Sequence, residues 1–185
     1  MSNQDFPVGP NEGKRIDVLK EMRILDSFEE ASFNEITEMT SYIFGVPTVT
    51  ISLVDETRQW FKSHYGLDAC ETDRDIAFCN YTVMSDKILE VTDPLSDERF
   101  KNNPLVEGEL HLRYYCGAPI IIKGQTIGAF CLIDYENRLP LTEQQRTILQ
   151  GLANIVARTI NQRHLIMKSA AMLSDVMRER WNSED

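Results

Sequence analysis

The chain has 185 residues, 26% of them charged, with 29 acidic against 19 basic side chains and a formal net charge of -10. That length suits one domain with an elaborated end, and the acidic balance without any Lys/Arg cluster excludes a phosphate backbone or an anionic membrane as partner. The polar start MSNQDFPVGPNEGKR lacks the apolar stretch of a signal peptide, and no apolar run approaches the roughly 20 residues that span a bilayer, so a cytoplasmic protein is expected.

Residues 1–13 are rich in Pro, Gly, Asn and acidic side chains and are expected to form a flexible leader. Ile16, Leu19, Met22 and Leu25 then recur every three residues, which predicts an amphipathic helix stopping near Asp26 and Ser27. Ser27 with Glu30 matches a capping box for a second helix that carries Phe33, Ile36, Thr40 and Ile43 on one face. Gly45, ahead of Pro47, ends it. From Thr48 the period changes to two: Val49, Ile51 and Leu53 face one way and Thr50 and Ser52 the other, with a turn at Asp55–Arg58 and an antiparallel return over Gln59–Tyr65.

The middle, Gly66 to Leu110, is polar apart from an apolar patch at Ile76–Met84 and a strand-like ILEVTD at Ile88–Asp93, and a connection of that length in a compact domain is read as a functional loop region. A second hairpin follows over Tyr114–Asp134, turning at Lys123-Gly124-Gln125. Thr142 and Gln145 form another capping box, and from there to Trp181 no Pro and one Gly occur, so a helix of up to about forty residues is expected. Within it Ile166, Ala170, Leu173 and Met177 step four, three, four, as a coiled-coil seam requires; the plainer alternative is a helix lying back on its own sheet. The order of elements predicts an α+β fold, a central antiparallel sheet with helices on one face and loops on the other.

The segments ISLVDETRQWFKS, GLDACETDRDIAFC, VTDPLSDERFKNNPLV and RYYCGAPIIIKGQTIGAFCLID resemble those of the GAF domain, in the bacterial signal-transduction subtype found ahead of sensor histidine kinases and diguanylate cyclases. The resemblance covers about Arg15 to Arg163, so residues 14–163 are taken as the GAF domain and 164–185 as a C-terminal helical extension, a candidate coiled coil. It implies a five- or six-stranded antiparallel sheet, N- and C-terminal helices on one face, and a loop-roofed ligand cavity on the other. It also implies a homodimer formed through the terminal helices, which pass a ligand-dependent change to a signalling output protein, in two-component or cyclic-di-GMP signalling.

Departures from the family narrow this. Bilin-carrying GAF domains link the chromophore to a Cys followed by His, whereas Cys79 is followed by Asn80, and no Asp-Ile-Pro triplet occurs, so no covalent bilin is expected. The cyclic-nucleotide signature Asn-Lys-x-Phe-x-x-x-Asp-Glu is missing, and Tyr81 stands where the subtype usually has His. The four cysteines, Cys70, Cys79, Cys116 and Cys131, show no CxxC pair, and His64 and His111 are isolated, so no metal is expected.

The residues proposed to meet a small molecule, itself unidentified, are Trp60, Phe78, Cys79, Asn80, Asp93, Arg113 and Tyr115. Phe78-Cys79-Asn80 is expected to begin a short helix whose N-terminus favours an anionic ligand group and a thiolate; the alternative is that Cys79 is a small buried residue. Arg113 either aims a cation into the cavity or pairs with Asp93 or Asp97. Trp60 and Tyr115 offer stacking faces, although alternation lets only some aromatics face the cavity. Asp97 and Asn103 read as turn caps. Two functions follow: a cytoplasmic GAF sensor acting on an output domain in trans or in a longer chain, or a thiol-dependent enzyme like the free methionine sulfoxide reductases of the family. In the second, Cys79 and Cys70 would be the catalytic pair, yet the third cysteine of that branch is absent from the Asp93–Asn103 loop.

Overall fold

The computed structural model describes residues 6–183, with side chains to residue 180; the first five residues of the expected leader lie outside it. Its elements are α1 (Glu12–Glu21), α2 (Ala31–Phe44), β1 (Thr48–Val54), β2 (Arg58–Tyr65), β3 (Glu71–Asp73), α3 (Cys79–Thr82), β4 (Leu89–Val91), α4 (Pro104–Glu107), β5 (Tyr114–Ile122), β6 (Gln125–Asp134) and α5 (Glu143–Ser183). The six strands form one antiparallel sheet in the order β3-β2-β1-β6-β5-β4, which gives the α+β architecture that the periodicities predict.

The two long hairpins meet along β1 and β6, with Ile51 opposite Phe130 and Leu53 opposite Gly128. A Cβ at Gly128 would stand 2.1 Å from the Ser52 carbonyl oxygen, so this central crossing needs a residue without one. The turn between β5 and β6 is two residues long, Lys123 and Gly124, both with positive φ (51° and 73°), the twist that suits a tight hairpin.

Alternation along the strands sends two sets of side chains to two layers. On one face Val49, Ile51, Leu53, Tyr114, Cys116, Phe130 and Leu132 pack under α1, α2 and α5, against Leu19, Met22, Phe33, Leu149, Ala153, Val156 and Ile160. On the other, Val54, Tyr115, Ala129 and Cys131 meet Phe78, Cys79, Val83, Phe100 and Val106 of the middle segment and Leu112 just after it. The middle segment therefore roofs the sheet, and it supplies two elements that periodicity does not reveal, the edge strand β3 and the single turn α4.

The helix boundaries refine the sequence reading. Helix α1 ends at Glu21 rather than near Asp26, because the chain turns through positive φ at Arg23 (49°) and Asp26 (56°) and so buries Met22 and Ile24. Ser27 and Glu30 form no capping box: Ser27 Oγ donates to the Ile24 carbonyl, and the Glu30 carboxylate faces Lys62 and Arg163. On α2 the buried face is Phe33, Thr37, Thr40, Ser41 and Phe44, leaving Ile43 exposed. The Thr142–Gln145 capping box is present as read, with Gln145 N–H donating to Thr142 Oγ1 and Thr142 N–H to Gln145 Oε1.

Candidate functional site

Beneath the middle segment the residues converge on α3. Phe78 lies on Phe100 with ring planes 8° apart and centroids 3.9 Å apart, and Tyr115 tilts against Phe78 at 5.2 Å. Around this aromatic group sits a buried set of polar atoms. Tyr115 Oη lies 2.8 Å from Thr82 Oγ1 and donates to Cys79 Sγ at 3.3 Å, and Cys79 Sγ lies 3.2 Å from Cys131 Sγ. Thr50 and Ser52, the polar face of β1, complete it, with their hydroxyls 2.8 Å apart and Cys131 Sγ 3.8 Å from Ser52 Oγ. The expected ligand space is thus occupied by packed side chains, and Phe78, Cys79 and Tyr115 are the residues of the proposed set that come together there.

The other four lie elsewhere. Trp60 faces the opposite layer, since its partner Leu53 belongs to the helical side of β1. Asn80 turns from the cluster toward Arg74, accepting from its Nε at 2.8 Å, and donates to the Pro7 carbonyl. Asp93 is exposed and caps its own turn, accepting from Leu95 N–H and Ser96 Oγ. Arg113 donates to the carbonyls of Val106 and Leu112 and so fastens α4, pairing with neither Asp93 nor Asp97. The caps read for Asp97 and Asn103 are present, Asn103 at the N-terminus of α4.

Helix α3 is a single turn of four residues, too short to present the N-terminal dipole expected of it. Burial pushes the Cys79 thiol well above its ordinary value, and the neighbouring Cys131 adds to the rise. Burial also raises Cys131, but its hydrogen-bonding contacts with Cys79, Tyr115, Thr50 and Ser52 outweigh it and leave this thiol below its ordinary value. Cys70, in contrast, is exposed beside β3, so the sulfur that the structure sets against Cys79 is that of Cys131.

Two charged assemblies hold the sheet and its roof to the helices. Lys62 is the extra residue of a bulge in β2, where Ser63 pairs with Ile51 and Phe61 with Ser52. Its ammonium is fully buried, donating to Glu30 at 2.8 Å, the Phe28 carbonyl at 2.6 Å and Ser27 Oγ at 3.0 Å, with the Phe33 ring 5.1 Å away. Glu30 also accepts from Arg163 of α5 at 2.7 Å, and Arg163 donates to the Arg23 carbonyl, so one carboxylate ties the sheet to the long helix. Burial raises the Glu30 carboxyl, but the bonds from Lys62 and Arg163 more than offset this and hold it below its ordinary range.

The second assembly centres on Arg74, 1% exposed, which donates to Glu12, Asn80 and the carbonyls of Asp55 and Glu56. The Phe6 ring covers the guanidinium at 4.6 Å, so from Phe6 onward the expected leader is fastened to the body. Burial raises the Glu12 carboxyl, but hydrogen bonds from Arg15 and Arg74 outweigh it and lower the group from 4.5 to about 2. A depressed folded-state value stabilises above the unfolded value and is lost as pH falls through the folded one. Stability is therefore expected to decline from about pH 4.5 toward pH 2, and Glu12→Gln to remove roughly 2 kcal/mol at neutral pH and flatten that decline. Urea titrations at a series of pH values check this; an unchanged acid limb in the variant would refute the assignment.

The four cysteines and the acidic residues form no group of three or more that suits a metal ion among the described residues, and no described helix is long and apolar enough to cross a membrane. The chain is 35% identical over 156 residues to a cyclic di-GMP phosphodiesterase of Pseudomonas aeruginosa, a match that takes in 84% of this chain and 27% of that protein. The chain thus spans about a quarter of that relative's length. Among solved structures it is similar to the GAF domain of an Acinetobacter phosphoenolpyruvate-protein phosphotransferase (TM-score 0.62, 16% identity, covering 91% of this chain and 99% of that one). It is also similar to a type II free methionine-R-sulfoxide reductase of Thermoplasma acidophilum (0.59, 13%, 78% and 96%) and to the blue-light absorbing form of the PixJ GAF domain of Thermosynechococcus elongatus (0.61, 12%, 86% and 95%). Identities this low carry the fold alone, shared by proteins of different chemistry. Residues 29–160 match the family model described as GAF domain, and with the fold and the roofed sheet already in view, the chain belongs to the GAF domain family.

Proposed function

We propose that this chain is a cytoplasmic regulatory GAF module in which the roofed face of the sheet receives a small molecule and α5, paired with a second copy, carries the response to an output domain. The observation that carries this reading is the division of α5. Over Leu149, Ala153, Val156 and Ile160 the helix is buried on the sheet, and beyond Arg163 the seam residues Ile166, Ala170, Leu173 and Met177 are all exposed, the three large ones more than half so. A helix of 41 residues extends about 60 Å, about twice the length that its sheet-packed part from Glu143 to Arg163 covers. Solvent-facing apolar positions at the four-three-four spacing are what a partner helix covers.

On the input side the ligand enters beneath α3 by displacing the Phe78–Phe100 stack and meets the buried polar atoms of Cys79 and Tyr115. The similarity to part of a cyclic di-GMP phosphodiesterase supports an output in that signalling chemistry.

Light scattering on a sizing column tests the pairing. The wild type is expected to run at the mass of two chains, and the combined Ile166→Ser, Leu173→Ser and Met177→Ser variant at the mass of one, with circular dichroism unchanged in the body. A wild type that is monomeric at every concentration overturns the dimeric reading.

A further inference from the structure

The thiols of Cys79 and Cys131 are 3.2 Å apart, 52 residues apart in sequence, and belong to different layers, Cys79 to the roofing turn α3 and Cys131 to the central strand β6. Closing to the roughly 2.05 Å of a disulfide asks for about 1 Å of movement. Four hydroxyl groups, those of Thr50, Ser52, Thr82 and Tyr115, gather around the two sulfurs in a layer whose other members are apolar. Hydroxyl donors facing a sulfur stabilise a thiolate, and a second thiol in contact with it is placed to resolve a sulfenic acid. Neither other cysteine is so placed: Cys70 is exposed, and Cys116 lies on the opposite face of β5 among the residues under α5.

We propose that Cys79 and Cys131 form a thiol oxidation site for a small uncharged hydroperoxide, closing a disulfide that pins the roof to the sheet. The Cys131 thiolate attacks one peroxide oxygen and breaks the O–O bond. The departing hydroxide takes a proton, and Cys131 becomes a sulfenic acid. The Cys79 sulfur then attacks the Cys131 sulfur and displaces the hydroxyl, which leaves as water with the Cys79 proton. Two thiols lose two electrons and two protons in all, and hydrogen peroxide becomes two waters. Entry requires only local opening, because α3 is one turn and has no cooperative stability of its own. Once formed, the bond fixes α3, and through Asn80 the segment at Pro7 and the Arg74 assembly, to the central strand. It stands apart from ligand binding: a chain that retained no small molecule would still form it.

The test uses the full reduced chain, treated in its native state with hydrogen peroxide, then unfolded in an alkylating agent and digested without reductant. The expected result is a loss of two hydrogens, a Cys79–Cys131 linked peptide, and its disappearance with dithiothreitol. Cys79→Ser and Cys131→Ser abolish the linked peptide, and Cys70→Ser and Cys116→Ser keep it. The oxidised wild type also melts roughly 5–10 °C higher than the reduced protein, a gain that Cys131→Ser lacks. Complete alkylation of both cysteines after Cys70 has been oxidised overturns the proposal, as does a linkage to Cys70 or Cys116 in its place, and neither result depends on a variant that folds.

Discussion

Replacing Lys62 by alanine is expected to lower the unfolding free energy by about 3 kcal/mol, the low end of what breaking a buried ion pair costs. The ammonium is fully buried and satisfied by three oxygens, those of Glu30, Phe28 and Ser27, so truncation leaves the Phe28 carbonyl and the Ser27 hydroxyl without that donor. Glu30 retains Arg163, which keeps the loss from being larger. Lys62→Met keeps the stem beside Phe33 and discards the charge, and is expected to fall between wild type and alanine. Urea midpoints at constant slope measure both. A midpoint for Lys62→Ala within error of wild type would falsify the view that this bulge residue holds the start of α2.

Arg74→Ala is the second large effect, about 3–5 kcal/mol. The guanidinium joins four pieces of chain: Glu12 of α1, the Asp55 and Glu56 carbonyls of the first hairpin turn, Asn80 of α3, and the Phe6 ring. Its loss strands the buried Asn80 Oδ1, takes a donor from the part-exposed turn carbonyls, and leaves Glu12 with Arg15 alone. The damage should be visible at a distance. Limited proteolysis is expected to cut the segment before α1 in the variant under conditions where the wild type resists. Equal resistance in the two proteins would mean that Arg74 does not hold that segment.

These two residues also mark where sequence reasoning stopped. The hairpins were legible because Val49, Ile51 and Leu53 alternate with Thr50 and Ser52, and the start of α5 because Thr142 and Gln145 are spaced for reciprocal caps. Lys62 was not, since a charged residue between Phe61 and Ser63 reads as solvent-facing until a bulge turns it inward. Ser27 and Glu30 have capping-box spacing but face a cation supplied from β2, and a tertiary partner outweighed the local motif. Trp60 carries an aromatic signature on either face, and only its register against Leu53 decides which. The nearness of Cys131 to Cys79 depends on β6 lying beside β1 and on α3 folding over both, contacts of long sequence separation. One signal was available: period two in AFCLID puts Cys131 with Ala129 and Ile133, on the face opposite the apolar Phe130 and Leu132.

Whether the sheet and α5 move as one is read most directly by hydrogen–deuterium exchange in wild type and in Glu30→Ala, the substitution that removes the carboxylate shared by Lys62 and Arg163. The expected result is exchange accelerated several-fold in the turn of α5 around Arg163 and at the start of α2, with the central strands β1 and β6 unchanged. Identical uptake around Arg163 in the two proteins would contradict the view that this carboxylate couples the sheet to α5.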